Sequence, residues 1–143
     1  MGYKFYGWEN ATVPAISDEY PAIATPRALY DALSNIWCSY TCAPRLRDKW
    51  SEDNRTLGQC SITAFLVQDI FGGEVYGIEL SDGNYHLFND VGGCVFDLTS
   101  EQFDEKLDYS KYTKQSRDVH FAKEEKRLRY EYLRNRLGGK DNA

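Results

Sequence analysis

Cys60, His86 and Asp97 have the residue types and the chain order that covalent acyl chemistry uses. A thiolate attacks the acyl carbonyl, an imidazole removes the thiol proton, and a carboxylate fixes the imidazole tautomer. Gln59 adds a side-chain amide beside the sulfur. Together with the Cys60 backbone N–H it suits stabilisation of an oxyanion. Trp50 and Asn54 lie in the polar loop that leads into Cys60, and Asn89 lies near His86 in sequence. These three are the candidates for a substrate groove.

The elements that must position these groups follow from periodicity. From Cys60 to Phe71 apolar residues fall on nearly every side of a 3.6-residue wheel, which predicts a helix buried on most faces. Gly58 precedes it and Gly72-Gly73 closes it, so Cys60 opens the first turn. Unpaired backbone N–H groups and the helix dipole there favour thiolate over thiol. Beyond Gly73 the period changes to two. Strands are predicted over 74–80, 84–89 and 94–98, with turns at Ser81-Asp82-Gly83 and Asp90-Val91-Gly92-Gly93, and a short helix after Thr99 or Ser100. A two-residue turn at Val91-Gly92 would put His86 directly opposite Asp97, with Cβ atoms roughly 5 Å apart. One imidazole nitrogen then meets the carboxylate, and the other is left for Cys60.

The expected fold class is α+β, a helix opening on cysteine packed against a small antiparallel sheet with flanking helices. A chain of 143 residues fits one domain. Within it, residues 1–25 read as an extended aromatic arm anchored by Tyr3, Phe5, Tyr6 and Trp8. Residues 26–110 form the catalytic-like core, which opens with a helix from Pro26 to about Tyr40 capped by Thr25. Residues 111–143 carry a charged helix from about Arg117 to Leu137, with Glu124, Leu128 and Tyr132 toward the body and a polar end that frays into solvent.

Charge is divided along the chain. Residues 1–110 hold 7 basic and 17 acidic side chains, and residues 111–143 hold 10 and 5. The body therefore repels polyanions. In the tail Lys123, Lys126, Arg127, Arg129, Arg134 and Arg136 alternate with Glu124, Glu125 and Glu131, which suits a solvated face better than nucleic acid. No apolar run spans a bilayer and no signal peptide opens the chain, so the expectation is a cytoplasmic protein without membrane contact. In that compartment Cys38, Cys42, Cys60 and Cys94 stay reduced.

The blocks Leu57-Gly58-Gln59-Cys60, Thr63-Ala64, Gln68-Asp69, Phe71-Gly72-Gly73-Glu74, His86, Asn89, Asp97-Leu98-Thr99 and Gln102-Phe103 resemble the small bacterial YunG-like family. That resemblance runs from Trp50 to Phe103 and brings no activity with it. The order of cysteine, histidine and aspartate is also similar to transglutaminase-like and papain-like cysteine hydrolases. By that likeness Cys60 is the nucleophile, His86 the base and Asp97 the orienter. The implied function is a cysteine hydrolase or acyltransferase acting on an amide, thioester or isopeptide bond of a peptide, protein or small acyl substrate, without cofactor or metal.

Two other readings compete with it. A catalytically inactive module on the same scaffold would bind a peptide or protein. Zinc would use Cys38 and Cys42, at i and i+4 of a helix, completed by Cys60, Cys94, His86 or His120. The expected assembly state is a monomer or weak homo-oligomer.

Overall fold

The computed structural model describes residues 2–138, so the expected fraying of residues 139–143 lies outside the described residues. The architecture is α+β. Helix α1 covers Pro26–Leu33, α2 covers Cys60–Phe71, α3 covers Arg117–Phe121 and α4 covers Glu124–Leu137. Strands β1 (Glu74–Glu79), β2 (Tyr85–Val91), β3 (Cys94–Phe96) and β4 (Thr113–Lys114) form one antiparallel sheet in the order β3-β2-β1-β4. Among the described residues no helix is long and apolar enough to cross a membrane.

Helix α2 is the centre of the core. Every residue from Ser61 to Val67 is buried, as are Ile70 and Phe71. Its side chains join Leu29 and Leu33 of α1, Val75 and Leu87 of the sheet, and Tyr130 and Leu133 of α4 in one apolar cluster. The arm adds Phe5 and Ala11 to that cluster, both fully buried, and its Tyr6 bridges to Asp97 at the end of β3. Fully burying a side chain the size of Phe5 contributes roughly 1.5–3 kcal/mol.

Helix α1 starts as expected, with Thr25 Oγ1 accepting from the Ala28 amide and Pro26 in the first turn. It ends at Leu33, well short of Tyr40. Ser34 Oγ donates to the Tyr30 carbonyl at 2.8 Å, and Asn35 donates from its amide to the Asp31 carbonyl. Polar side chains of this kind compete with the backbone and close a helix. Cys38 and Cys42 consequently sit in the following turn, with the Cys42 amide bonded to the Cys38 carbonyl, and not on a helix face. Among the described residues no three His, Cys, Asp or Glu side chains form a group able to hold a metal ion.

The predicted C-terminal helix is broken. Lys123 has extended backbone between α3 and α4. Arg117 ties α3 to α2 through Asp69 at 2.6 Å and the Phe65 carbonyl at 3.1 Å, whereas α4 is held by Tyr130, Leu133 and the buried Arg129. These residues, and not Glu124 and Leu128, face the body, while Tyr132 is half-buried with its ring edge-on to Tyr40. Leu128 is 42% exposed.

The β2–β3 register also differs from expectation. Val91 pairs with Cys94, Asp90 with Val95 and Asn89 with Phe96, so the turn residues are Gly92-Gly93. Both have positive φ, the conformation that a two-residue hairpin turn demands and glycine adopts without a Cβ penalty. Moving the turn by one position moves each pairing by two residues. Side chains alternate with period two, so Asp97 stays on the face of His86 and becomes its diagonal neighbour.

Candidate active site

Three elements bring the predicted groups together. Helix α2 presents Cys60 in its first turn, β2 presents His86, and the exit of β3 presents Asp97. His86 Nε2 lies 2.6 Å from Asp97 Oδ2, with both side chains 1% exposed. Asp97 Oδ1 accepts from the Thr99 amide at 3.1 Å and the Thr99 hydroxyl at 3.3 Å. Tyr109 donates its hydroxyl to Oδ2 at 2.6 Å. A buried carboxylate this fully satisfied keeps its charge in a fixed position. Strand β3 stops at Phe96, so at His86 strand β2 is paired only with β1, and the Cys60 sulfur lies 4.0 Å from the Tyr85 carbonyl oxygen.

Electrostatics couple the three groups. Burial disfavours the charged His86 ring, but the charge and hydrogen bond of Asp97, with Cys60, outweigh it and raise the imidazole pKa to about 10. Burial likewise disfavours a Cys60 thiolate. The hydrogen bond and charge of His86 and the Leu87 amide outweigh it, and the thiol pKa falls below its ordinary value. Both shifts favour thiolate beside imidazolium. Helix α2 has no side-chain cap. The Cys60 and Ser61 amides have no hydrogen-bond partner among the described residues, so unpaired donors stand at the sulfur.

A cleft of about 730 Å³ opens over Cys60 and His86, walled by Pro44 and Leu46, Asn84 and Phe103, and the α3–α4 region. The expected groove residues do not line it. Trp50 donates from Nε1 to the Arg55 carbonyl, and Asn54 pairs back on Ser51, so this loop closes on itself. Asn54 borders a separate, smaller depression with Tyr30 and Trp37. Asn89 is buried, with its amide bonded to the Ala64 carbonyl at 2.9 Å, and fastens β2 to α2.

Gln59 also differs from expectation. Its side chain is fully buried beneath the turn that follows α1, and Nε2 donates to the Cys38 carbonyl at 3.2 Å. Oε1 has no partner among the described residues. Gln59 is not among the residues that line the cleft, and the unpaired donors at the start of α2 are its backbone N–H groups.

Sequence reasoning missed Tyr109, which lies in a stretch without periodicity and is held by stacking on Tyr6 of the arm at 3.7 Å between ring centroids. It also missed the contact of His120 with Lys126, whose Nζ donates to Nδ1 at 2.8 Å on the cleft wall. A signal was present in both cases. Tyr109 is one of 11 tyrosines, and His120 is the second of two histidines.

Comparison with known proteins places the chain in a family. The family model described as YunG protein matches residues 25–140, and the chain belongs to the YunG family. The match takes in α3 and α4 as well as the central blocks, and leaves the first 24 residues outside it. A relative from Bacillus subtilis (strain 168), described as "Uncharacterized protein YunG", is 41% identical over 61 residues. That alignment covers 43% of this chain and 52% of the relative, so the chain spans about half the length of the curated relative it matches. No solved structure matches the chain.

Proposed function

We propose that this YunG family member is a cysteine hydrolase or acyltransferase of papain-like or transglutaminase-like type, acting on an amide, thioester or isopeptide bond. The observation that carries the reading is the 2.6 Å contact between His86 Nε2 and Asp97 Oδ2, which leaves Nδ1 of the same ring to serve Cys60. The thiolate attacks the acyl carbonyl and forms a carbon–sulfur bond. Developing negative charge on oxygen is met by the unpaired amides at the start of α2. The imidazolium gives its proton to the leaving amine or thiol as the bond to it breaks, and becomes neutral. His86 then takes a proton from water, or from an acceptor nucleophile, which displaces the thiolate from the acyl group. Asp97 keeps the ring oriented throughout and stays ionised.

The test is acyl transfer from p-nitrophenyl acetate followed by peptide mass analysis. The expected result is an acetyl group on Cys60 well before Cys38 or Cys94, lost in His86→Ala. Equal acetylation of the three thiols would overturn the proposal.

A further inference from the structure

The wall of the cleft opposite His86 carries a second chain of polar contacts. Gln115 Nε2 donates to the Thr113 carbonyl at 3.3 Å, which turns Oε1 toward His120 Nε2 at 2.9 Å. His120 Nδ1 accepts from Lys126 Nζ at 2.8 Å. With an acceptor at Nε2 and an ammonium donor at Nδ1, the ring is neutral and carries its proton on Nε2. Burial and the charges of Lys126 and Lys123 hold its pKa down at about 4, in agreement with that state.

Three features show that this chain serves to place an ammonium. Six residues apart on a continuous helix, His120 and Lys126 would point about 120° apart, and the break between α3 and α4 lets them meet. Gly77, in the middle of β1, makes room for Gln115, since a Cβ there would stand 2.7 Å from its Nε2. Lys126 is half-buried in the first turn of α4, where both burial and the helix dipole oppose a cation. The Cys60 thiolate and Glu125 favour its charge from a distance, and among the described residues no carboxylate closes a salt bridge to it.

The other cations of the cleft are better matched. Arg45 lies 4.0 Å from Asp82, and Arg129 is bonded to Glu125 and the Thr41 carbonyl. Lys126 and the exposed Lys123 have no salt-bridge partner among the described residues. Lys126 shares the cleft with Cys60 and senses its thiolate charge.

We propose that Lys126, fixed by His120 and Gln115, anchors a carboxylate on the substrate, so that the acyl compounds served by Cys60 are anionic close to the bond that is broken. Of the two unpaired ammonium groups in the cleft only Lys126 is half-buried, and on a chain whose net charge is −5 that suits a small anion over an extended polyanion. The proposal rests on the reading of Cys60 as nucleophile.

The experiment compares alkylation of Cys60 in the full chain by iodoacetate, a carboxylate, and by iodoacetamide, its neutral counterpart. Both form the same carbon–sulfur bond and release iodide, so loss of thiolate character slows them equally. In Lys126→Met the iodoacetate/iodoacetamide rate ratio is expected to fall about tenfold. In Lys126→Arg, and in the remote control Lys49→Met, it should stay within about threefold of the parent. An unchanged ratio in Lys126→Met would overturn the proposal whatever the absolute reactivity of Cys60. Slow iodoacetamide labelling of Cys60 in the parent would count against the nucleophile instead, so the two failures are distinguishable.

Discussion

His86 and Asp97 are diagonal neighbours across the unpaired end of β2 and β3, and their side chains meet at 2.6 Å where both are almost completely buried. Asp97→Asn keeps the shape and removes the charge that raises the imidazole pKa. Alkylation of Cys60 by iodoacetamide near pH 6 is expected to slow at least about tenfold, because the ring no longer holds its proton beside the sulfur. Rates for Cys38 and Cys94 should not change.

The same pair makes stability depend on pH. His86 is raised from 6.5 to about 10, so its contribution is complete below pH 6.5 and is lost as pH rises through 10. Cys60 is shifted the other way, so its contribution is present above its ordinary pKa and lost as pH falls through the depressed one. Cys60→Ala removes the second effect and unmasks the first. Urea unfolding of that variant should show stability falling as pH rises above 6.5, over a window that closes below pH 10 because Cys60 no longer helps Asp97 to raise the ring. Adding Asp97→Asn should abolish the decline.

Tyr109→Phe removes a donor from Asp97 Oδ2 and leaves the stack on Tyr6 in place. A hydrogen bond to a charged group contributes about 1.5–3 kcal/mol, and the lower end applies at this half-buried position. Urea denaturation should register that loss. Alkylation of Cys60 should stay within about threefold of the parent, since His86 keeps its carboxylate.

Gly58→Ala tests how the chain enters α2. Gly58 has φ +73°, and an added Cβ would stand 2.5 Å from Cys42 Sγ and 2.9 Å from the Ala43 nitrogen. The backbone must move, at a cost of about 2 kcal/mol or more. The first turn of α2 moves with it. A lowered melting temperature together with slower alkylation of Cys60 is expected, and a variant as stable as the parent would show that this approach is not tight.

Particular residues explain how much was legible from the sequence. The α+β class, α2 with Cys60 in its first turn, and the strands around His86 followed from periodicity, which reports burial directly. The shared face of His86 and Asp97 survived a wrong turn position because an even shift preserves the side of the sheet. Gln59, Asn54 and Asn89 were misplaced because a polar residue type does not state which buried carbonyl it will satisfy. Asn89 serves Ala64, and Gln59 serves Cys38. The ends of α1 and the break before α4 depend on Ser34, Asn35 and Arg117 finding partners, which helix periodicity does not encode.

The most direct measurement is the pH dependence of Cys60 alkylation by iodoacetamide, followed beside Cys38 and Cys94 in the parent and in His86→Ala. A thiolate–imidazolium pair predicts that Cys60 still reacts in mildly acidic solution where the other thiols have stopped, and that His86→Ala removes this advantage. A Cys60 profile that titrates near ~8.5, as for an ordinary thiol, with no effect of His86→Ala, would contradict it.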